Sequence, residues 1–326
     1  MKQNNALKMR FLLALMAILA TIAGYATQLS GSVTISATGT ASPSVFRNYN
    51  SLITYLTGSG ARSDGGPANA APFGLSGNLT VNVANGTITE KVTIPSTITN
   101  LGTNKLTFLG NSRTLSVIEF APTGLSGDNY VVRVDLADNV TFQNMTIRVA
   151  SSVSTTTASI ALHILGTTTN AANDINVINC NITGVNNSTT SLSGGLIANG
   201  STTTSILSST GVGARLAVTG CTIAGGYYNM IVGGGSSATP TSTFRDLRVS
   251  NTTFSNGYYY GLALRNCINM NVSGNTFTGT ASASTFSYGI DMSGCNGVAD
   301  ATSINNQITV VNNNIFSSMG GRGIYV

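Results

Sequence analysis

The sequence predicts an all-β chain, a parallel β-helix solenoid with a capping α-helix near its N-terminus. Three observations predict it: an internal repeat of about 23 residues, apolar alternation of period two inside each copy, and one short segment of helical spacing ahead of the first full copy. The repeat is clearest where residues 247–254 read Leu-Arg-Val-Ser-Asn-Thr-Thr-Phe and residues 270–277 read Met-Asn-Val-Ser-Gly-Asn-Thr-Phe. The same pattern occurs at Val140-Phe142-Asn144-Ile147, Ile175-Val177-Asn179-Ile182, Leu216-Val218-Gly220-Ile223 and Ile308-Val310-Asn312-Ile315, with a further copy at Val81-Val83-Asn85-Ile88.

Each position has a physical role. The first and third residues alternate with polar ones, as in a strand with one buried face. The fifth is Asn or Gly, the residues that best tolerate the left-handed region, so the strand turns there. The Ile or Phe three residues later points back inside. Stacked rungs place the asparagines above one another, where their amides are expected to bond along the axis. A second phrase follows, as in Tyr260-Gly261-Leu262-Ala263-Leu264 and Tyr288-Gly289-Ile290-Asp291-Met292. At least two strands and two turns therefore fit in one rung, which is too short for a propeller blade.

In chain order, residues 1–26 read as a secretory signal, with a basic start, an apolar run over 11–23 and small residues at 24–26. That run is too short for a stable membrane span. The protein is therefore expected to be secreted or held at a cell surface. Residues 27–77 hold a first strand at 32–36, the capping helix at 44–57 and a Gly-, Ala- and Pro-rich loop. Ser42 is the expected helix cap, Pro43 suits its first position and Gly58 stops it. Val45, Tyr49, Leu52 and Leu56, with Phe46 and Ile53 beside them, form its apolar face, placed to lie over the first rung. Residues 78–326 form the β-helix, with polar insertions at 151–159, 201–213 and 296–306 expected at its corners. The last phrase ends at Val326 without a cap, so the chain is expected to be the N-terminal part of a longer protein.

Only 8% of residues are charged, yet 42% are apolar and alternate, which argues against disorder. Without the signal the chain keeps 12 basic and 10 acidic residues, a balance that gives nucleic-acid binding no support. Cys180 and Cys221 share one repeat position and Cys267 and Cys295 another, so each pair stacks on neighbouring rungs. Small buried residues in a stack and axial disulfides are both open readings.

The segment at 44–57, the run 79–90 (Leu-Thr-Val-Asn-Val-Ala-Asn-Gly-Thr-Ile-Thr-Glu) and the run 138–147 (Asp-Asn-Val-Thr-Phe-Gln-Asn-Met-Thr-Ile) resemble right-handed parallel β-helix (pectin-lyase-like) repeat proteins. The nearest likeness is to large secreted surface proteins of Gram-negative bacteria, many exported by a type IX system. It covers most of residues 32–326 and implies a right-handed coil. It does not specify an activity, because this fold hosts lyases, hydrolases, adhesins and passive stalks. The resemblance implies that an enzyme of this type would cleave acidic polysaccharide, with paired aspartates or calcium-binding acids beside an Arg or Lys base.

Ten acids are present, no two of them adjacent in sequence, and His163 sits between Leu162 and Ile164 rather than between glycines. Calcium would need several carboxylate oxygens from adjoining rungs, and no such cluster is visible, so no metal or cofactor is assigned. Asp135 and Asp138 form the best acid pair, with a solvated strand edge beside Arg133 as the alternative. Arg265 and Asp291 are expected to point outward on neighbouring rungs as a surface ion pair worth under about 1 kcal/mol. His163 is expected outward, exposed and inert. Tyr228, Tyr260 and Tyr288 share one position, two residues before an inward aliphatic, so parity turns them inward or into the corner as a structural stack. Tyr227 and Tyr259, of opposite parity, are the expected glycan contacts. The resulting reading is a non-catalytic β-helix module for adhesion, matrix or glycan binding. The alternative is a polysaccharide lyase or glycoside hydrolase acting on an acidic polysaccharide.

Overall fold

A computed structural model describes residues 28–125, 127–200, 206–207, 209–234, 243–279, 288–295, 309–317 and 320–326. The expected signal, part of the insertion at 201–213 and the whole of that at 296–306 lie outside the described residues. The described chain winds as a parallel β-helix of three sheets. The first sheet runs from Leu29–Ile35 through Leu75–Val83 and Val140–Gln143 to Thr309–Asn312. The second runs from Gly86–Thr89 to Ile315–Ser317, and the third from Val92–Pro95 to Ile324–Tyr325. All the ladder pairings between these strands are parallel, as expected when each rung lies on the one before. Among the described residues no helix is long and apolar enough to cross a membrane.

The alternation of period two builds the interior. In the first sheet Val81, Phe108, Phe142 and Val177 are in register and fully or almost fully buried. In the second, Ile182, Ile223, Phe254, Phe277 and Phe316 continue one column. The rings of Phe254 and Phe277 stack at 4.6 Å, and those of Phe277 and Phe316 at 5.1 Å. Each three-residue strand of this sheet buries one side chain and turns two outward.

The corner after the first strand uses the left-handed region as expected. Asn144, Asn179, Asn251 and Asn313, with Gly220 and Gly274, all have φ between 50° and 67°. The amide ladder is short: Asn179 Nδ2 donates to Asn144 Oδ1 at 3.0 Å, and Asn144 Nδ2 donates to the Gly110 carbonyl at 2.8 Å. A second ladder sits one residue on. The backbone N–H groups of Cys180, Cys221, Thr252 and Asn275 each donate to the side chain above, on Cys221 Sγ, Thr252 Oγ1, Asn275 Oδ1 and Asn314 Oδ1. These bonds satisfy amides that the turn removes from the sheet.

Two copies of the repeat fall in a different register from the one read in the sequence. Val272 pairs with Val311 and Phe277 with Phe316, so the last copy is Thr309-Val311-Asn313-Phe316, one residue later. A one-residue slip exchanges the faces, and Ile315 is accordingly 62% exposed while Phe316 joins the ring column. In the first copy Val81 pairs with Phe108 and Val83 with Gly110, so Leu79 and Val81 are its first and third positions. Ile88 still pairs with Ile118, and the corner between them carries the difference.

The capping helix is shorter than expected. It spans Tyr49–Thr57, with Asn48 as N-cap, Oδ1 accepting from Ser51 N at 2.8 Å, and Gly58 as a left-handed stop. Ser42 instead accepts from Val45 N at 3.1 Å, and Val45–Phe46 pairs with Leu29–Ile35 as a strand. Glu90 decides the start: its carboxylate accepts from the N–H groups of Tyr49 and Asn50, two donors that a helix start leaves open. Leu52 and Leu56 are fully buried, and the Tyr49 ring lies 5.6 Å from Phe108, so the helix covers the first rungs.

Candidate functional site

The strands Tyr228–Gly233, Tyr260–Arg265 and Tyr288–Ser293 are neighbours in the third sheet, with Tyr228, Tyr260 and Tyr288 in register. Parity would place these tyrosines with the interior Met230, Leu262 and Ile290. The structure places them outside. Tyr228 and Tyr260 pack with Ile197, Ile231 and Ala263, a cluster separate from the interior core that holds Met230 and Leu262. Alternation breaks because two consecutive positions face inward. A Cβ at Gly261 would lie 2.7 Å from the Phe277 ring, and one at Gly289 would lie 2.4 Å from Phe316. After Tyr260 and Tyr288 the glycine thus lets the backbone press against the second sheet and leaves the tyrosine on the outer face. After Tyr228 the position is held by Asn229, whose buried amide donates to the Gly225 and Ser255 carbonyls.

One tyrosine surface results. Tyr228 stacks on Tyr260 at 5.6 Å, and Tyr260 on Tyr288 at 5.2 Å. Beside this column, Tyr227 stacks on Tyr259 at 5.4 Å and lies 5.2 Å from Tyr258. Tyr259 meets Tyr260 edge-on at 4.5 Å, and Tyr288 touches Tyr325 at 5.6 Å. Tyr227 and Tyr259 are half-buried, joined to the column that parity had set apart from them. Burial, with the Asp291 carboxylate second, raises the Tyr260 phenol well above its ordinary value, so it stays a neutral hydroxyl.

The column borders an open groove of about 620 Å³ lined by Tyr260, Arg265, Asp291, Cys295 and Tyr325. Here Arg265 Nη2 donates to Asp291 Oδ2, and Nη1 donates to the carbonyls of Leu264 at 2.9 Å and Asp291 at 3.3 Å. The guanidinium carbon lies 6.0 Å from the centre of the Tyr260 ring. The pair is not the exposed surface bridge expected: the side chains are only 20% and 5% exposed. Its register explains this. Asp291 continues the outward column of Ile231 and Ala263, and the tyrosines shelter it. Flat rings with hydroxyl rims and a fixed array of guanidinium donors suit the apolar faces and hydroxyls of sugar rings. Glycosidic cleavage needs two facing carboxylates, whereas the groove's described lining holds one, Asp291, committed to Arg265.

The other candidates fall elsewhere. Asp138 accepts from Asn173 N at 2.7 Å and so holds the turn into the next rung. Asp135 ends the strand Tyr130–Asp135, half-buried, opposite Pro95 and Leu165. Neither borders the groove. His163 faces outward but is fully buried, not exposed. Its Nδ1 accepts from Arg133 Nε at 3.2 Å, and Nε2 lies 3.4 Å from the Asn199 carbonyl. Burial, reinforced by the Arg133 charge, lowers its pKa to about 3. On the next rungs, Asn199 Nδ2 donates to the Ile206 carbonyl, and Ile206 packs with Ile197 and Ile231 of the same column. Among the described residues no group of three or more His, Cys, Asp or Glu side chains is placed to hold a metal. Tyr260, Tyr288 and Tyr325 were missed as surface residues. Their signal was the glycine after Tyr260 and Tyr288, which marks a break in parity.

No protein-family model matches the chain, and no curated protein matches it in sequence. Among solved structures it is similar to a rice weevil pectin methyl esterase, with TM-score 0.48 and 15% identity over 83% of this chain and 72% of that one. A pectin methylesterase from Aspergillus niger gives TM-score 0.40 and 12% identity over 88% and 93%. One from Erwinia chrysanthemi gives 0.32 and 12% over 82% and 80%.

Proposed function

We propose that this is a secreted or cell-surface module whose third sheet binds polysaccharide without cleaving it. One observation carries the reading. The outer face presents a continuous surface of tyrosine rings, from Tyr227 through Tyr259, Tyr260 and Tyr288 to Tyr325, beside a groove with a fixed Arg265–Asp291 pair. Aromatic faces bind sugar rings with little loss of side-chain freedom, and the pair's unused lone pairs and donors supply direction. The signal pattern at residues 1–26 supports the location.

The test is a glycan array followed by calorimetry with soluble polysaccharides on the full chain. The expected result is binding without release of reducing or unsaturated sugar. Tyr260→Ala is expected to weaken binding about 10-fold or more, which corresponds to about 1.4 kcal/mol. Tyr227→Ala and Tyr259→Ala should weaken it by smaller factors. Release of sugar would replace this reading with the lyase or hydrolase alternative. Binding unchanged in all three variants would remove the tyrosine surface from the account.

A further inference from the structure

The two cysteine pairs occupy matching corners. In the first, Ile178 and Thr219 are in register, Asn179 and Gly220 turn through the left-handed region, and Cys180 and Cys221 follow. In the second, Arg265 and Ser293 are in register, Asn266 and Gly294 turn, and Cys267 and Cys295 follow. In each pair the earlier cysteine's N–H donates to the later one's Sγ at 3.4 Å. Neighbouring rungs lie about 4.8 Å apart, within the Cα separation of about 4.4–6.8 Å that a disulfide spans. All four are free thiols in the structure.

Access separates the pairs. Cys180 and Cys221 are buried, with their sulfurs on the carbonyls of Ile178, Val177 and Thr219. Burial raises both thiols, Cys180 to about 12, so they stay protonated and unreactive. Cys295 is half-buried on the groove wall, beside Arg265 and Asp291, with the fully buried Cys267 behind it. A hydrogen bond from the Cys267 thiol lowers Cys295, with Arg265 adding a smaller favourable charge, while burial raises Cys267. The thiolate is the nucleophile in exchange, so the accessible member attacks first.

We propose that Cys295 is a thiol–disulfide exchange site with Cys267 as its resolving partner, closing to an axial disulfide on reaction with a low-molecular-weight disulfide. The Cys295 thiolate attacks one sulfur of the small disulfide, forms a mixed disulfide and expels one thiolate, which takes up a proton. Cys267 then loses its proton to solvent and attacks Cys295 Sγ, expelling the second small thiolate. Two protein thiols are oxidised to one disulfide, and the small disulfide is reduced to two thiols. The bond would join the strand ends that carry Arg265 and Ser293 and so fix the groove wall.

The test treats the full native chain with oxidised glutathione and maps its peptides without reduction. The wild type is expected to yield the Cys267–Cys295 crosslink. Cys267→Ala is expected to hold glutathione on Cys295, and Cys295→Ala to leave Cys267 unmodified. Cys180 and Cys221 should remain free in every sample until the protein is denatured. Native alkylation of the wild type, which needs no variant, should mark Cys295 ahead of the other three. Glutathione retained on wild-type Cys295 to the same extent as in Cys267→Ala would refute the resolving role. A native Cys295 that resists both reagents, or reacts no faster than Cys180 and Cys221, would refute the site. None of these readouts involves a glycan, so they stand or fall apart from the binding assay.

Discussion

His163 makes the most demanding prediction, because it is the one histidine in the chain and its environment opposes its charge. The imidazole is fully buried, accepts from Arg133 and sits near the Asn199 carbonyl, and its pKa falls to about 3. In the unfolded chain it titrates near 6.5. As pH falls below 6.5, the unfolded state therefore binds a proton that the folded state refuses, and stability is lost until pH approaches 3. Between pH 7 and 5 this amounts to about 2 kcal/mol. Glu90 titrates in the same window with the opposite sign: burial raises its carboxyl to about 7, so acidification favours the folded state. The two contributions separate in His163→Gln, whose amide can both accept from Arg133 and donate to Asn199. Its urea-unfolding free energy should lose about 2 kcal/mol less than wild type between pH 7 and 5. The imidazole proton resonances offer a direct reading, and they should stay flat from pH 8 to about 4. An inflection near pH 6.5, or equal pH slopes for wild type and variant, would refute the argument.

The remaining predictions rest on other single contacts. Glu90→Gln should remove the Glu90 contribution alone, so that on going from pH 5 to pH 8 its unfolding free energy changes by about 2 kcal/mol more in the favourable direction than that of wild type, the His163 contribution being common to both. Arg113→Ala removes bonds to Asn179, Asn181 and the Cys180 carbonyl two rungs on and to Thr222 three rungs on, and should cost about 2–3 kcal/mol in urea unfolding. Hydrogen exchange should rise at the amides of those rungs. Asp291→Asn leaves the Arg265 guanidinium without its countercharge in a mostly buried site, at a cost of about 2–4 kcal/mol. Pairing it with Arg265→Leu in a double-mutant cycle should recover part of that loss.

Sequence periodicity conveyed the interior well, because a buried strand face leaves a period-two record whatever its neighbours do. It did not convey phase at the ends. Residues 308–316 read Ile-Thr-Val-Val-Asn-Asn-Asn-Ile-Phe, and doubled apolar residues with three asparagines satisfy two registers equally. The choice falls to Phe316 stacking on Phe277, a contact 39 residues distant. The helix start failed for a related reason. Ser42 and Asn48 are both good caps, and the Glu90 carboxylate, far along the chain, selects the second. The tyrosines were misplaced because strict alternation assumes an unbroken strand, whereas Gly261 and Gly289 let the backbone bend into the interior. Ion-pair geometry was legible in register, as with Arg265 and Asp291, but burial was not, since it depends on what neighbouring rungs place above the pair.

That dependence explains where the candidate site lies. One outward column of the third sheet runs through Arg133, His163, Ile197, Ile231, Ala263 and Asp291 in register. In its middle Ile206, from the insertion after Asn199, packs with Ile197 and Ile231, and His163, one rung below Ile197, is fully buried and neutral. Past Ile206 the tyrosines of the 228, 260 and 288 position take over the same face, and the groove opens at Asp291. A solenoid supplies the same sheet to every rung, so the sheet alone cannot locate a site. The corner insertion after Asn199 and the glycines after Tyr260 and Tyr288 do so, by deciding which rungs are covered and which turn their rings outward.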